Sequence, residues 1–179
     1  MPHWKPHWRL MPEDVQKQLH TFIEHPKGYQ RSESAWRAVG FKPAPMVIPI
    51  GFTEIDNGYK TQCWLYDLNQ CEPVSGKLAE TRRKHWIDHI VINRVLRQWG
   101  KFLVQFVNDE DELLIQCANI LEDERSQLFT IGEFDFSKPQ FGLKPFPVFE
   151  LDVWISTYVR QFAGDLREGR PVKVARSIG

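Results

Sequence analysis

The chain has 179 residues, 42% of them apolar, and balances 23 Lys and Arg against 23 Asp and Glu, enough for one ordinary globular core. A formal charge of zero and a pI near 7 exclude a protein that grips nucleic acid or an acidic membrane through net charge, so partners must be read from local patches. A mean hydropathy of −0.43 with only short apolar runs gives no stretch near the roughly 20 apolar residues that span a bilayer.

Residues 1–10 hold the near-repeat His3-Trp4-Lys5-Pro6-His7-Trp8-Arg9, read as a loosely tied arm. The opening Met1-Pro2-His3-Trp4-Lys5 has no apolar core of a signal peptide, so the protein is expected to stay where it is made. A helix is predicted from Pro12, with Glu13 and Asp14 at its positive end and Val15, Leu19, Phe22 and Ile23 on one face, stopping at His25-Pro26-Lys27-Gly28. A short helical turn follows around Ala35 to Val39. Pro43 and Pro45 then introduce Met46 to Ile50 as a buried strand. Asp56-Asn57-Gly58 is a strong turn signal and Tyr59 to Tyr66 alternates, which predicts a hairpin.

Asp67 to Ser75 reads as a loop and Leu78 to Trp99 as the longest helix, with Ile87, Ile90, Val91, Val95 and Trp99 on one stripe and Gly100 as its stop. A second hairpin is expected from Phe102 to Val107 and Glu112 to Ile120 around Asn108 to Asp111, the latter run being open to a helical reading. Leu128 to Phe136 reads as a strand, Pro139 to Pro147 as loop, and Glu150 to Leu166 as a helix on Leu151, Trp154, Ile155, Tyr158, Phe162 and Leu166. Gly169-Arg170-Pro171 ends that helix, and residues 170–179 form a basic tail with Lys173 and Arg176. The pattern is an α+β fold, a mixed and mainly antiparallel sheet with flanking helices, in one domain over residues 1–179.

Charge that cancels over the chain does not cancel along it. From Lys77 to Lys101 seven basic residues face two acids, and from Asp109 to Arg125 seven acids face one base. Such runs serve either as solvated surfaces or as binding faces. What precedes the basic run favours binding: Ser75-Gly76-Lys77 opens a helix, where unpaired N–H groups, the dipole and a lysine suit phosphate. It is only half of a P-loop, because Cys71 stands where the first glycine would and Leu78 replaces the final Ser or Thr. Within one further turn come Glu80, able to ligate a metal or take a proton, and Arg82 and Arg83, suited to phosphoryl oxygens; the bland alternative is a surface Glu and Arg pairing along the helix.

His85 and His89 share a helical face, but Trp86 stands where a zinc protease needs Glu. They either line the apolar stripe or join a carboxylate from elsewhere on a metal. Cys63, Cys71 and Cys117 match neither a redox pair nor a paired zinc site, which fits a reducing cytosol. There is no GxSxG elbow and no GxGxxG loop. Aromatics reach 13%, either filling the core or anchoring an interface.

The segment Ala79-Glu80-Thr81-Arg82-Arg83 is similar to the Gly-Glu-Arg-Arg-like turn of the ParB/sulfiredoxin superfamily, with Ala for Gly and Thr before the arginines. Pro45 to Ile50 and Gly58-Tyr59 resemble that family's strand and turn, at a longer interval. In size, aromatic richness and this segment the chain also resembles plasmid fertility-inhibition, oncogenic-suppression proteins. The resemblance implies a ParB/sulfiredoxin-like fold and a DNase with ATPase activity that blocks DNA transfer through a competing type IV secretion system. It implies ATP and a divalent metal, Mg²⁺, as cofactors, and DNA and the secretion coupling protein as partners. The location implied is the bacterial cytoplasm, or the periphery of the inner membrane through that partner. Glu80, Arg82 and Arg83 are then the catalytic or phosphate-contacting residues, with Gly76 and Lys77 holding phosphate. The alternative is a non-catalytic protein that blocks a coupling protein or a toxin by surface complementarity, through its acidic 109–124 region and exposed aromatics.

Overall fold

The computed structural model describes residues 10–106, 130–136 and 157–174. In chain order the elements are α1 (Glu13–Leu19), β1 (Gln30–Arg31), α2 (Glu33–Ala38), β2 (Phe41–Pro43), β3 (Gly51–Asp56), β4 (Lys60–Asp67), β5 (Cys71–Pro73), α3 (Lys77–Leu103), β6 (Thr130–Ile131), β7 (Phe134–Asp135) and α4 (Ala163–Arg167). Short 3₁₀ turns follow β4 and α3, and residues 157–161 are helical. The protein is thus a mixture of helix with small antiparallel sheets, ordered β1-β4-β3, β2-β5 and β6-β7.

The chain divides into two compact units, residues 1–83 with 131–134, and residues 84–130 with 135–179. In the first, the expected hairpin forms in register from Gly51↔Leu65 to Asp56↔Lys60. Its turn is set by Gly58 at φ 93°, whose N–H donates to Asp56 Oδ1 at 3.2 Å. α2 starts where Ser32 accepts from the Ala35 N–H, and it buries Trp36 completely against Phe41, with ring centroids 5.9 Å apart. The indole N–H donates to the Tyr66 carbonyl at 2.9 Å, so this large core ring also satisfies its polar atom.

Three expectations in this unit, and a fourth that runs across both units, need correction. The first helix ends at Leu19, short of Phe22 and Ile23. Thr21 to Ile23 instead lie along the edge of β3, where Ile23 N donates to Phe52 O and Phe52 N to Thr21 O. Apolar residues at helical spacing also fit a short extended segment, and here the backbone of β3 offers the stronger set of partners. Met46 to Ile50 is not a strand: Met46 is left-handed at φ 66° and 85% exposed, and strands flank the segment on both sides. Asp67 to Ser75 is not simply loop, because a capped 3₁₀ turn at Leu68–Gln70 feeds β5 into pairing with β2. Leu128 to Phe136 is not one strand; from residue 130 it is two short strands reversed at Gly132, φ 57°.

In the second unit α3 buries Trp86, Ile87, Val91, Ile92, Val95, Leu96 and Leu103. Gly100 does not stop it. The glycine is buried against Leu166 of α4, where an added Cβ would lie 2.5 Å from Leu166 Cδ2, so its missing side chain serves close packing. The strand expected at Phe102 to Val107 is accordingly the end of α3 and a 3₁₀ turn through Phe106, burying Leu103 and Val104. The expected strand Glu112 to Ile120, the loop Pro139 to Pro147, the arm over residues 1–9 and the first part of the last helix lie outside the described residues. The stop at Gly169, φ 69°, is as expected.

Candidate functional site

β2 and β5 deliver the chain to the start of α3. They pair from Phe41↔Pro73 to Pro43↔Cys71, with Lys42 and Glu72 in an ion pair at 3.1 Å. Beyond Pro73 the Val74 N–H still donates to the Gly40 carbonyl at 3.0 Å. Gly76, at φ 111° with open space where a Cβ would go, then swings the chain into the helix, and its carbonyl accepts from Glu80 N at 3.0 Å. Amides ahead of Glu80 have no acceptor inside the helix, and the macrodipole adds about half a positive charge there.

The inner side of this entrance is closed by Arg83, which is 4% exposed. Its Nη1 donates to Gly40 O at 2.7 Å and to Val74 O at 2.6 Å, and its guanidinium lies 5.8 Å from the centre of the Phe41 ring. Burial pulls the guanidinium below its ordinary pKa, and the Glu80 charge opposes that shift. The outer side is open: Ser75, Gly76, Lys77, Glu80 and Arg82 are exposed, and Thr81 Oγ1 donates to Lys77 O at 2.9 Å.

The structure therefore brings Glu80 and Arg83 together, one turn apart on the helix. Glu80 and Arg82, two residues apart, point about 200° away from each other around the axis. Lys77 shares the first turn with Glu80. The role of Arg83 as a brace was not readable from its motif; the signal was Gly40, a glycine just past a helix whose carbonyl needs a donor.

His85 is exposed, and His89 is buried with Nδ1 2.7 Å from the His85 carbonyl, a contact in which the ring N–H donates. Among the described residues no group of three His, Cys, Asp or Glu is placed to hold a metal ion. Burial, with the Asp67 charge adding to it, pushes the Cys71 thiol up to about 12 from its ordinary 9.0. Alkylation of Cys71 by iodoacetamide, followed by mass spectrometry across pH, is expected to keep rising where an ordinary thiol reaches its plateau. A midpoint near pH 9.0 would show a solvated thiol.

Compared with protein-family models, curated proteins and solved structures, the chain matches none.

Proposed function

We propose that the entrance to α3 holds a phosphate group and that the protein acts on phosphate esters, as a DNase with ATPase activity that suppresses DNA transfer through a competing type IV secretion system. The observation that carries this reading is the glycine-opened helix start, with Lys77, Glu80 and Arg82 exposed around it. Gly76 and Lys77 position the phosphate and Arg82 neutralises its charge. Arg83, spent on two backbone carbonyls, contributes by bracing the turn. Glu80 is the single carboxylate in the first two turns of α3. That fits Mg²⁺, which binds through one or two carboxylates together with substrate phosphates, and Mg²⁺ would supply charge neutralisation there. ATP would be held through Gly76, Lys77 and Arg82. A ParB/sulfiredoxin-like fold and work in the bacterial cytoplasm beside the secretion coupling protein belong to the same proposal.

The divergence of Glu80 and Arg82 around the helix favours a second reading, a protein that blocks a coupling protein by surface contact. Tyr59 at 84% and Met46 at 85% exposure offer apolar anchors for it. Purified protein incubated with plasmid DNA and Mg²⁺, with and without ATP, separates the two. On the enzymatic reading Glu80→Ala lowers the rate of DNA loss by about 100-fold and Arg82→Ala lowers it clearly. DNA loss unchanged in both variants removes this site assignment. A wild-type chain that inhibits transfer without degrading DNA leaves the second reading standing.

A further inference from the structure

The second unit carries a positive surface of its own. From His89 to Phe106 the chain has no Asp or Glu, while Arg94, Arg97 and Lys101 recur at three- and four-residue spacing on one face of α3. Arg97 and Lys101 are exposed, and the charge of Arg97 adds to burial in holding the Arg94 pKa below its ordinary value, so like charges crowd this face. α4 and the segment after it bring more. Leu166 packs on Gly100 and the Val174 N–H donates to Asn93 Oδ1 at 2.8 Å, which sets the exposed Arg167 and Lys173 beside the same stretch of α3.

Among the described residues, the acids of this segment, Asp165 and Glu168, pair with Arg170 and not with Arg97, Lys101, Arg167 or Lys173. Arg97 and Lys101, like charges one turn apart on the helix, cost it a few tenths of a kcal/mol. A line of cations with the exposed amides of Gln98 and Gln105 on its flank suits a linear polyanion. A membrane surface would ask for apolar side chains within the band. Phe102, the exposed ring of this stretch, stands about 100° around the helix from Lys101.

We propose that Arg97, Lys101, Arg167 and Lys173 form a band that holds the sugar-phosphate backbone of a nucleic acid without regard to sequence. The band rests on the phosphate-ester reading only for the nature of the polymer, and its residues take no part in the chemistry proposed at Glu80.

Fluorescence anisotropy of a labelled duplex of about 20 base pairs, without Mg²⁺ so that nothing is cut, tests it. The wild-type chain should bind, and more weakly as salt rises. Arg97→Gln with Lys101→Gln should weaken binding about tenfold or more and reduce the log–log salt slope by about 2, with the melting curve unchanged. Lys27→Gln with Lys60→Gln, exposed in the other unit, should alter neither. Should the double variant fold poorly, Lys173→Gln alone is expected to lower the salt slope by about 1.

Absence of wild-type binding, or equal binding by the variants, overturns the band. So does capture of the wild-type chain by phosphatidylserine vesicles with the same loss in the variants while the duplex stays unbound. A chain that hydrolyses ATP through Glu80 and Arg82 yet ignores the duplex loses the band and keeps the enzymatic reading. A chain that binds through the band while Glu80→Ala leaves hydrolysis untouched does the reverse.

Discussion

Replacing Gly40 by alanine is expected to destabilise the fold by about 4 kcal/mol, the sum of left-handed backbone strain and overpacking at one position. Gly40 sits at φ 81° just past α2, and a Cβ there would lie 2.3 Å from the Ala79 carbonyl oxygen and 2.7 Å from Arg83 Cγ. The first contact is with helix backbone, which cannot rotate aside as a side-chain tip can. The second is with the stem of the arginine that holds the turn. Relief would mean lifting the first turns of α3 away from β2, breaking the bonds from Arg83 Nη1 and Val74 N to Gly40 O. In a thermal melt followed by circular dichroism this corresponds to a fall of about 10 °C. Gly58→Ala is the control. It has a similar φ of 93° but nothing within 4 Å of an added Cβ, so it should show only the backbone part, about 1 kcal/mol. Equal effects at the two glycines would mean that the close approach to Ala79 carries no weight.

The parts of the fold legible in the sequence are those decided by local chemistry. Asp56-Asn57-Gly58 makes its turn because one carboxylate and one left-handed glycine suffice. Gly169 ends α4 and the long apolar stripe makes α3, each for reasons within a few residues. Misreadings occur where a distant group decides. Thr21 to Ile23 leave the helix because β3 offers its edge, and Gly100 stays helical because Leu166 fills the space over it. Met46 to Ile50 reads as a strand on composition. Yet its backbone is held by side chains from elsewhere: Gln18 Nε2 donates to Pro49 O at 2.8 Å and Gln70 Nε2 to Ile48 O at 2.6 Å.

The candidate site divides in the same way. Gly76 and Lys77 at a helix entrance are visible from sequence alone, because glycine before a helical run has a local meaning. The direction in which each arginine points is not. Arg82 and Arg83 are identical in type and adjacent in sequence, so only the helical phase and the presence of Gly40, Phe41 and Val74 on one side decide that Arg83 turns inward and Arg82 outward. A motif that treats them as a pair joins a surface cation to a structural one.

That division predicts the behaviour of Arg83 variants. Arg83→Ala removes a charged donor from two carbonyls at 2.7 and 2.6 Å and empties the space over Phe41, and is expected to destabilise the fold by about 4 kcal/mol. Arg83→Met keeps the stem against Phe41 and relieves the buried charge, leaving mainly the loss of the donor to Val74 O, since Gly40 O still accepts from Val74 N. About 2 kcal/mol is expected for it. If Arg83 is a brace, the melting temperature falls in both variants, more in Ala than in Met. Any hydrolytic rate, measured well below the melt, then follows the folded fraction with KM for ATP unchanged. A methionine variant that melts within about 2 °C of wild type but has lost phosphate binding would instead make Arg83 a direct contact, and the inward geometry would have to open when ligand arrives. Arg82→Met separates the outcomes from the other side: exposed and outward, it should leave the melt unchanged and act on phosphate binding alone.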